Sequence, residues 1–333
     1  MGLPKEALFD ALKPLTLMPT VTTVRVATRP SALALKQAQA VMDMLAQQHG
    51  DLTFEIVKIS TRGDDDQDRS LASIGGDGVF VKELESALLA NRADIAVHSM
   101  KDLPTELPAG VRAGVVPMRE DARDVLLSRD NQHKTVFALP NKAIVGTSSL
   151  RRAAQVHAIK PLIEVKDLRG NIDTRIKKLL DGQYDAIVLA LAGVQRLGLP
   201  PEVGEGSPIP IDEMVPAVGQ GALFVQCREA DTTIQELIAP LAEPLSSMGV
   251  AIERAFLKRM GGGCAVPAGA NASVFGDRWL FHAFVGSVDG KHAMRRDAEG
   301  IARDEADATV AVEDIADEML ESGARWVIAQ YKR

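Results

Sequence analysis

Cysteine is nearly missing from this 333-residue chain, which has only Cys227 and Cys264. Two thiols cannot build a framework of bridges, so a disulfide scaffold is excluded, a reducing compartment is the default, and a single reactive thiol stays open. No uninterrupted apolar run approaches the ~20 residues that cross a bilayer, because Lys, Asp or Arg breaks each one. Positive charge is in deficit, with 38 Lys and Arg against 45 Asp and Glu, a net −7. Attraction to nucleic acid or an anionic membrane would therefore need local clusters of basic residues. Metal-ligand spacings of the Cys-x-x-Cys or Cys-His type are absent, so no metal site is expected. The acidic run Asp64-Asp65-Asp66-Gln67-Asp68 has Arg69 and Gly75 where a calcium loop needs Gly and Glu, and it reads as a solvated loop. Residues 1–23 lack the basic start and apolar stretch of a secretory signal and read as an N-terminal extension of a cytoplasmic protein. Low-complexity tracts and short repeats are missing as well.

What remains has ordinary globular composition, 46% hydrophobic and 25% charged, at a length that suggests about two domains, or three, at ~150 residues each. Val24-Arg25-Val26-Ala27 reads as a strand. A helix starting near Ser31 follows, with Leu35, Ala38, Val41, Met42 and Leu45 on one face, and then a strand from Phe54 to Ile59. This βαβ unit implies a parallel sheet. Residues 60–78 form a long loop, Phe80 to Leu89 a helix, and Asp94 to Val97 a strand ending in His98-Ser99-Met100-Lys101-Asp102. A second α/β region begins near Asp124, with strands at Ala143-Ile144-Val145, Leu162 to Val165 and Ala186 to Leu189, and a helix from Asp173 to Leu180. From about Pro244 the pattern becomes α+β: a helix from Ser247 to Met260, alternating strands from Ser273 to Val285, and a helix from about Glu305 to Ser322. The expected fold is two α/β lobes with a cleft between them, plus a small α+β C-terminal domain. Ligands in open parallel sheets collect beyond the carboxyl ends of strands, which directs attention to the residues after Val97, Val145 and Val165.

The run Gly146-Thr147-Ser148-Ser149-Leu150-Arg151-Arg152 places two arginines in a first helical turn, where the helix N-terminus already carries roughly half a positive charge. Backbone N–H groups, hydroxyls and guanidinium forks there would converge on a carboxylate or phosphate; the alternative is a solvated Arg pair. Arg169, Arg175, Arg29 and Lys101 occupy similar strand-end and helix-start positions, and six such cations fit a polyanionic small molecule. Singly, each would read as a surface charge. Asp102 is a lone carboxylate among these cations, which keep it ionised. Its work would be to stabilise developing positive charge or to accept ligand N–H groups, the alternative being simple neutralisation of Lys101. Cys264 follows Gly261-Gly262-Gly263 and is expected to be presented as a covalent attachment point, whereas Cys227 in Leu223 to Cys227 reads as a buried small hydrophobe. His98 is a core or turn residue and weak evidence for acid/base catalysis.

Taken together, these stretches resemble the hydroxymethylbilane synthase (porphobilinogen deaminase) family from Val24 to about Lys332. The residues that carry the resemblance are Ala27-Thr28-Arg29-Pro30-Ser31, Phe80 to Glu85, His98 to Pro104, Gly146 to Arg152, Leu168 to Asn171, Pro216 to Gly221 and Gly262-Gly263-Cys264. The resemblance implies head-to-tail condensation of four porphobilinogen units with release of ammonia, primed on a dipyrromethane cofactor. A linear tetrapyrrole, hydroxymethylbilane, is then released by hydrolysis. It further implies a thioether to Cys264, a catalytic Asp102 that supports the pyrrole N–H groups as an azafulvene cation forms, and carboxylate binding by Arg29, Lys101, Arg151, Arg152, Arg169 and Arg175. Ser31, Ser99, Thr147 and Ser149 would donate hydrogen bonds, with Lys82 a lesser candidate. The implied lobes resemble periplasmic binding proteins: residues 24–118 with 217–240, then 124–214, then the cofactor-bearing residues 244–333, in a cytoplasmic monomer. Asp77 stands where the family commonly has Lys. Two other hypotheses compete: a non-catalytic two-lobed anion-binding protein, and a thiol hydrolase using Cys264, which no adjoining His supports.

Overall fold

The structure, a computed structural model, describes residues 23–61, 78, 81–129, 131–261, 266–301 and 304–331. Strand β1 (Thr23–Thr28) turns Val24 and Val26 into the core and pairs in parallel with β2 (Thr53–Lys58). Helix α1 (Ala32–Gln48) connects them. Its N-cap is Ser31, and its buried stripe is Ala34, Gln37, Ala38, Val41, Met42 and Leu45, the spacing of one helix face. Helix α2 (Lys82–Leu89) leads to β3 (Ile95–Ser99), which ends in one 3₁₀ turn, Met100–Asp102, and is followed by β4 (Ala113–Val115). Phe80, where the sequence suggested the helix begins, lies outside the described residues.

The second lobe repeats the plan with β5 (Asp124–Ser128), β6 (Ile144–Gly146), α3 (Leu150–Ile159), β7 (Glu164–Lys166), α4 (Ile172–Leu180), β8 (Ala186–Ala190), α5 (Leu191–Leu197) and β9 (Ser207–Pro208). Strand β10 (Leu223–Cys227) then returns to the first sheet, followed by α6 (Thr232–Ile238). The strand orders are β2-β1-β3-β10-β4 and β7-β6-β8-β5-β9. In each sheet the first three strands are parallel and the fourth, β10 or β5, runs antiparallel. The sheets are therefore mixed rather than purely parallel. The local βαβ pattern could not show this, because β5 and β10 each enter their sheet through a crossover from the other lobe. The chain crosses between lobes twice, through residues 116–123 and 209–222.

The third unit packs α7 (Pro244–Arg259), α8 (Glu305–Met319) and α9 (Arg325–Ala329) on an antiparallel sheet of β11 (Ala268–Phe275), β12 (Arg278–Gly286) and β13 (Ala293–Ile301). Its core centres on Phe256 and Phe281, edge to face at 5.4 Å between ring centroids. Strand β11 starts five residues before the expected Ser273. Ala268 to Ala272 are small residues without strong alternation, and what makes them a strand is pairing with β12 and close approach to the second crossover. A Cβ on Gly269 would lie 2.6 Å from the Pro216 carbonyl oxygen. Among the described residues, no helix is long and apolar enough to cross a membrane.

Candidate active site

Between the lobes lies a cavity of about 590 Å³, within the roughly 300–1,000 Å³ usual for small-molecule sites. Its walls come from strand ends and helix starts of both lobes and from the second crossover. The N-termini of α1, capped by Ser31, and α4, capped by Asn171, both open onto it. Free backbone N–H groups at such ends favour an anion.

Eight of the expected side chains meet here: Arg29, Ser31, Ser99, Lys101, Asp102, Arg152, Arg169 and Arg175. Five are cations collected from both lobes, and they share the wall with two carboxylates, Asp102 and Asp173. Burial pushes the Lys101 ammonium down to about 8, with Asp102 opposing the shift and Arg152 reinforcing it. Burial likewise lowers Arg175 to about 10, with Arg152 and Arg169 adding repulsion, although its Nε still donates to the Gly170 carbonyl at 2.7 Å. Arg152 and Arg169 already face Asp124 and Asp167, yet the cations also repel one another, and an anionic ligand would relieve that repulsion. Ser99 accepts from Gln37 Nε2 at 2.9 Å, a contact that places Gln37 in the same wall.

Arg151 behaves differently from the expectation. Its Nη1 donates to Asp124 Oδ2 and to the Val215 carbonyl, both at 2.7 Å, and its side chain is 4% exposed and outside the cavity wall. The anion that this helix start demanded is thus partly internal. Asp124, the first residue of β5, also accepts Arg152 Nε at 3.0 Å and Nη2 at 2.7 Å. Burial alone would raise the Asp124 carboxyl, but the two guanidinium groups hold it well below the usual carboxylate range. Arg152 is shared between Asp124 and the cavity. The sequence offered one signal for Asp124, a carboxylate heading the apolar run Val125-Leu126-Leu127.

Thr147 and Ser149 do not line the cavity. The Thr147 hydroxyl accepts from the Ser149 N–H at 3.2 Å, and the Ser149 hydroxyl accepts from the Arg152 N–H at 3.4 Å, so both shape the start of α3. Lys82 is exposed at the start of α2, outside the wall. Cys264 and Asp77 lie outside the described residues. His98 is a core residue whose Nε2 contacts Gln226 Oε1 at 2.8 Å, and burial lowers it to about 4. Cys227 is fully buried, its thiol pushed up to about 11 by burial. Sequence reasoning missed Gln220, and also Arg196, which lines the cavity while donating from Nε to Glu120 Oε1 at 3.0 Å and from Nη2 to the Gly221 carbonyl at 3.1 Å.

A cavity lined by six cations and two carboxylates, Asp102 and Asp173, fits many anionic ligands, and comparison with known proteins narrows the choice. Residues 24–236 match the family model described as "Porphobilinogen deaminase, dipyromethane cofactor binding domain", and residues 248–321 match "Porphobilinogen deaminase, C-terminal domain". The chain belongs to the porphobilinogen deaminase family. Relatives include the porphobilinogen deaminase of Roseiflexus castenholzii, 45% identical over 92% of this chain and 99% of that protein. That of Thiobacillus denitrificans is 45% identical over 92% and 98%. Among solved structures, the VFT2 domain of BvgS from Bordetella pertussis aligns at 15% identity over 71% of this chain and 94% of that one, with a TM-score of 0.41. Membership makes the chain a transferase of tetrapyrrole biosynthesis with a dipyrromethane cofactor.

Proposed function

We infer that the interlobe cavity joins porphobilinogen units head to tail, each losing its amino group as ammonia while a carbon–carbon bond forms to the growing chain. The observation that carries this reading is the convergence of Arg29, Lys101, Arg152, Arg169 and Arg175 around Asp102. Each pyrrole ring brings an acetate and a propionate, so a dipyrromethane and an incoming unit together present several carboxylates. The residues present fit that group. Arg152, Arg169 and Arg175 from the second lobe and Arg29 and Lys101 from the first would hold its carboxylates, with Ser31 and Ser99 as hydrogen-bonding partners. Arg151 acts at one remove, by sharing Asp124 with Arg152. When bound, dipyrromethane supplies the pyrrole carbon to which the first unit is joined.

Asp102 is the catalytic residue of this reading. Placed by the 3₁₀ turn after β3 and lining the cavity, its carboxylate accepts pyrrole N–H groups and stabilises positive charge that develops as ammonia departs. Cys264 is the proposed attachment point, bracketed in sequence by α7 and β11. Thr147, Ser149 and Lys82 contribute to the site less directly, the first two through the start of α3. The same reading holds the chain to be a cytoplasmic monomer that does not bind nucleic acid, in keeping with its net charge of −7 and the inward placement of its clustered cations.

The test is chemical. Purified protein should carry a mass excess of two linked pyrroles on the peptide containing Cys264, and should consume porphobilinogen with release of ammonia and a linear tetrapyrrole. An active protein with an unmodified Cys264 would remove the attachment site. A protein that binds porphobilinogen without consuming it would favour the anion-binding alternative.

A further inference from the structure

The stretch Pro216 to Gly221 carries family resemblance, and its one polar side chain, Gln220, has no task in the proposed function. Gln220 is 1% exposed and lies in the second crossover, directly behind the cavity. Its Nε2 donates to the Ala122 carbonyl at 2.8 Å and to Asp124 Oδ1 at 2.9 Å, two groups that can only accept. Its Oε1 faces Lys101 Nζ at 3.5 Å and Arg152 Nη2 at 3.4 Å, two groups that can only donate. The amide therefore has one orientation, since flipping it would set four like dipoles and charges against one another.

The backbone is as firmly placed as the side chain. Gly219 and Gly221 on either side adopt φ of +69° and +87°, and a Cβ on them would lie 2.5 Å from Met100 Cγ and from the Glu120 carbonyl oxygen respectively. The Gln220 carbonyl accepts from Arg119 Nε at 2.9 Å. Such left-handed positions beside close neighbours suit only glycine, so the crossover is bent to hold this one amide behind the wall that Gly219 and Gly221 line.

We propose that Gln220 is a positioning residue for the condensation, a neutral bridge that draws Lys101 of the first lobe and Arg152 of the second onto one oxygen while anchored on Asp124. This proposal rests on the reading of the cavity as the condensation site. A neutral bridge serves where a carboxylate would not. It fixes both cations while leaving their positive charge available to ligand carboxylates, whereas a second acid would neutralise them and repel Asp124. Lys101 also faces Asp102, Asp124 and Arg151, so its protonation registers the balance of the whole cluster.

The test is Gln220→Met, which keeps the length and removes donor and acceptor, made in the cofactor-loaded full chain. Cofactor content is read by intact mass, and the Lys101 ammonium is titrated by NMR of ¹³C-lysine-labelled protein, assigned with Lys101→Arg. The Lys101 midpoint should fall measurably below its value near 8, because one acceptor is gone. The alkaline limb of kcat/KM for porphobilinogen should move down with it, with roughly a tenfold loss at neutral pH. In a double-mutant cycle with Lys101→Met the two losses should be less than additive. An unchanged Lys101 midpoint with a pH profile lowered in parallel at every pH, or strict additivity, would overturn the proposal and leave Gln220 a packing residue. If Gln220→Met does not accumulate folded, Gln220→Asn, which shortens the reach by one methylene, gives the same two readings. Wild-type protein that fails to consume porphobilinogen defeats the functional reading instead, and the midpoint comparison still decides the bridge.

Discussion

Glu253 receives both arms of Arg119, Oε1 from Nη1 at 2.6 Å and Oε2 from Nη2 at 3.1 Å. Arg119 belongs to the first crossover and Glu253 to α7 of the third unit. The same carboxylate accepts the Gly219 N–H at 2.7 Å from the second crossover and the Ala272 N–H at 2.8 Å from β11. One fully buried side chain thus ties both interlobe connections to the unit that precedes and follows Cys264 in sequence. Replacing it with Gln removes the charge and turns one acceptor into a donor facing donors. Glu253→Gln is expected to cost about 3–5 kcal/mol of unfolding free energy. Urea unfolding checks this, and a loss below about 1 kcal/mol, the range of exposed pairs, would show that the node carries no such weight.

Asp124 plays the matching part between the lobes. Asp124→Asn leaves two buried guanidinium groups without their common partner and is expected to lower stability by about 3–5 kcal/mol near neutral pH. Its carboxyl lies far below the value of ~3.9 in an unfolded chain, so the contribution is complete above that value. It is lost as pH falls toward the folded value. The gap between wild type and Asp124→Asn should therefore narrow on acidification; a gap that widens in acid contradicts the pairing. Arg151→Ala should also reduce cofactor loading, since Asp124 would then draw Arg152 back from the cavity.

Asp102→Asn should fold and carry its cofactor normally yet lose ~100-fold or more of its turnover, because an amide hydrogen-bonds without the charge that favours a nearby cation. Intact mass and porphobilinogen consumption measured together check this. Near-normal turnover would free Asp102 of its assigned role.

Lys101 is expected to set an alkaline limit. Its ammonium, near 8, loses its charge as pH rises through that value, and carboxylate binding weakens with it. The kcat/KM profile should fall on the alkaline side near pH 8, and Lys101→Arg should move that fall upward, since a guanidinium stays protonated. An identical alkaline limb in the two proteins would assign it to another group.

Much of the chain's plan is legible in local sequence because its causes are local. Hydrophobic spacing and the Ser31 cap define α1, and the short, mostly apolar run from Val24 to Ala27 marks β1. Cations after strand ends mark the cavity because open α/β sheets place ligands there. The run of family motifs in one order is likewise a property of sequence, and it fixed the class of chemistry. Tertiary structure decided how the two neighbouring arginines divide their work. Arg151 and Arg152 sit about 100° apart on one helix. Only the arrival of Asp124, 27 residues before Arg151, turned one inward and left the other shared with the cavity. The same holds for Gln220, whose contacts with Lys101 and Asp124 span 119 and 96 residues. No periodicity encodes a buried charge's partner across such distances, because burial, and with it the need for pairing, exists only once the lobes have closed over the crossovers.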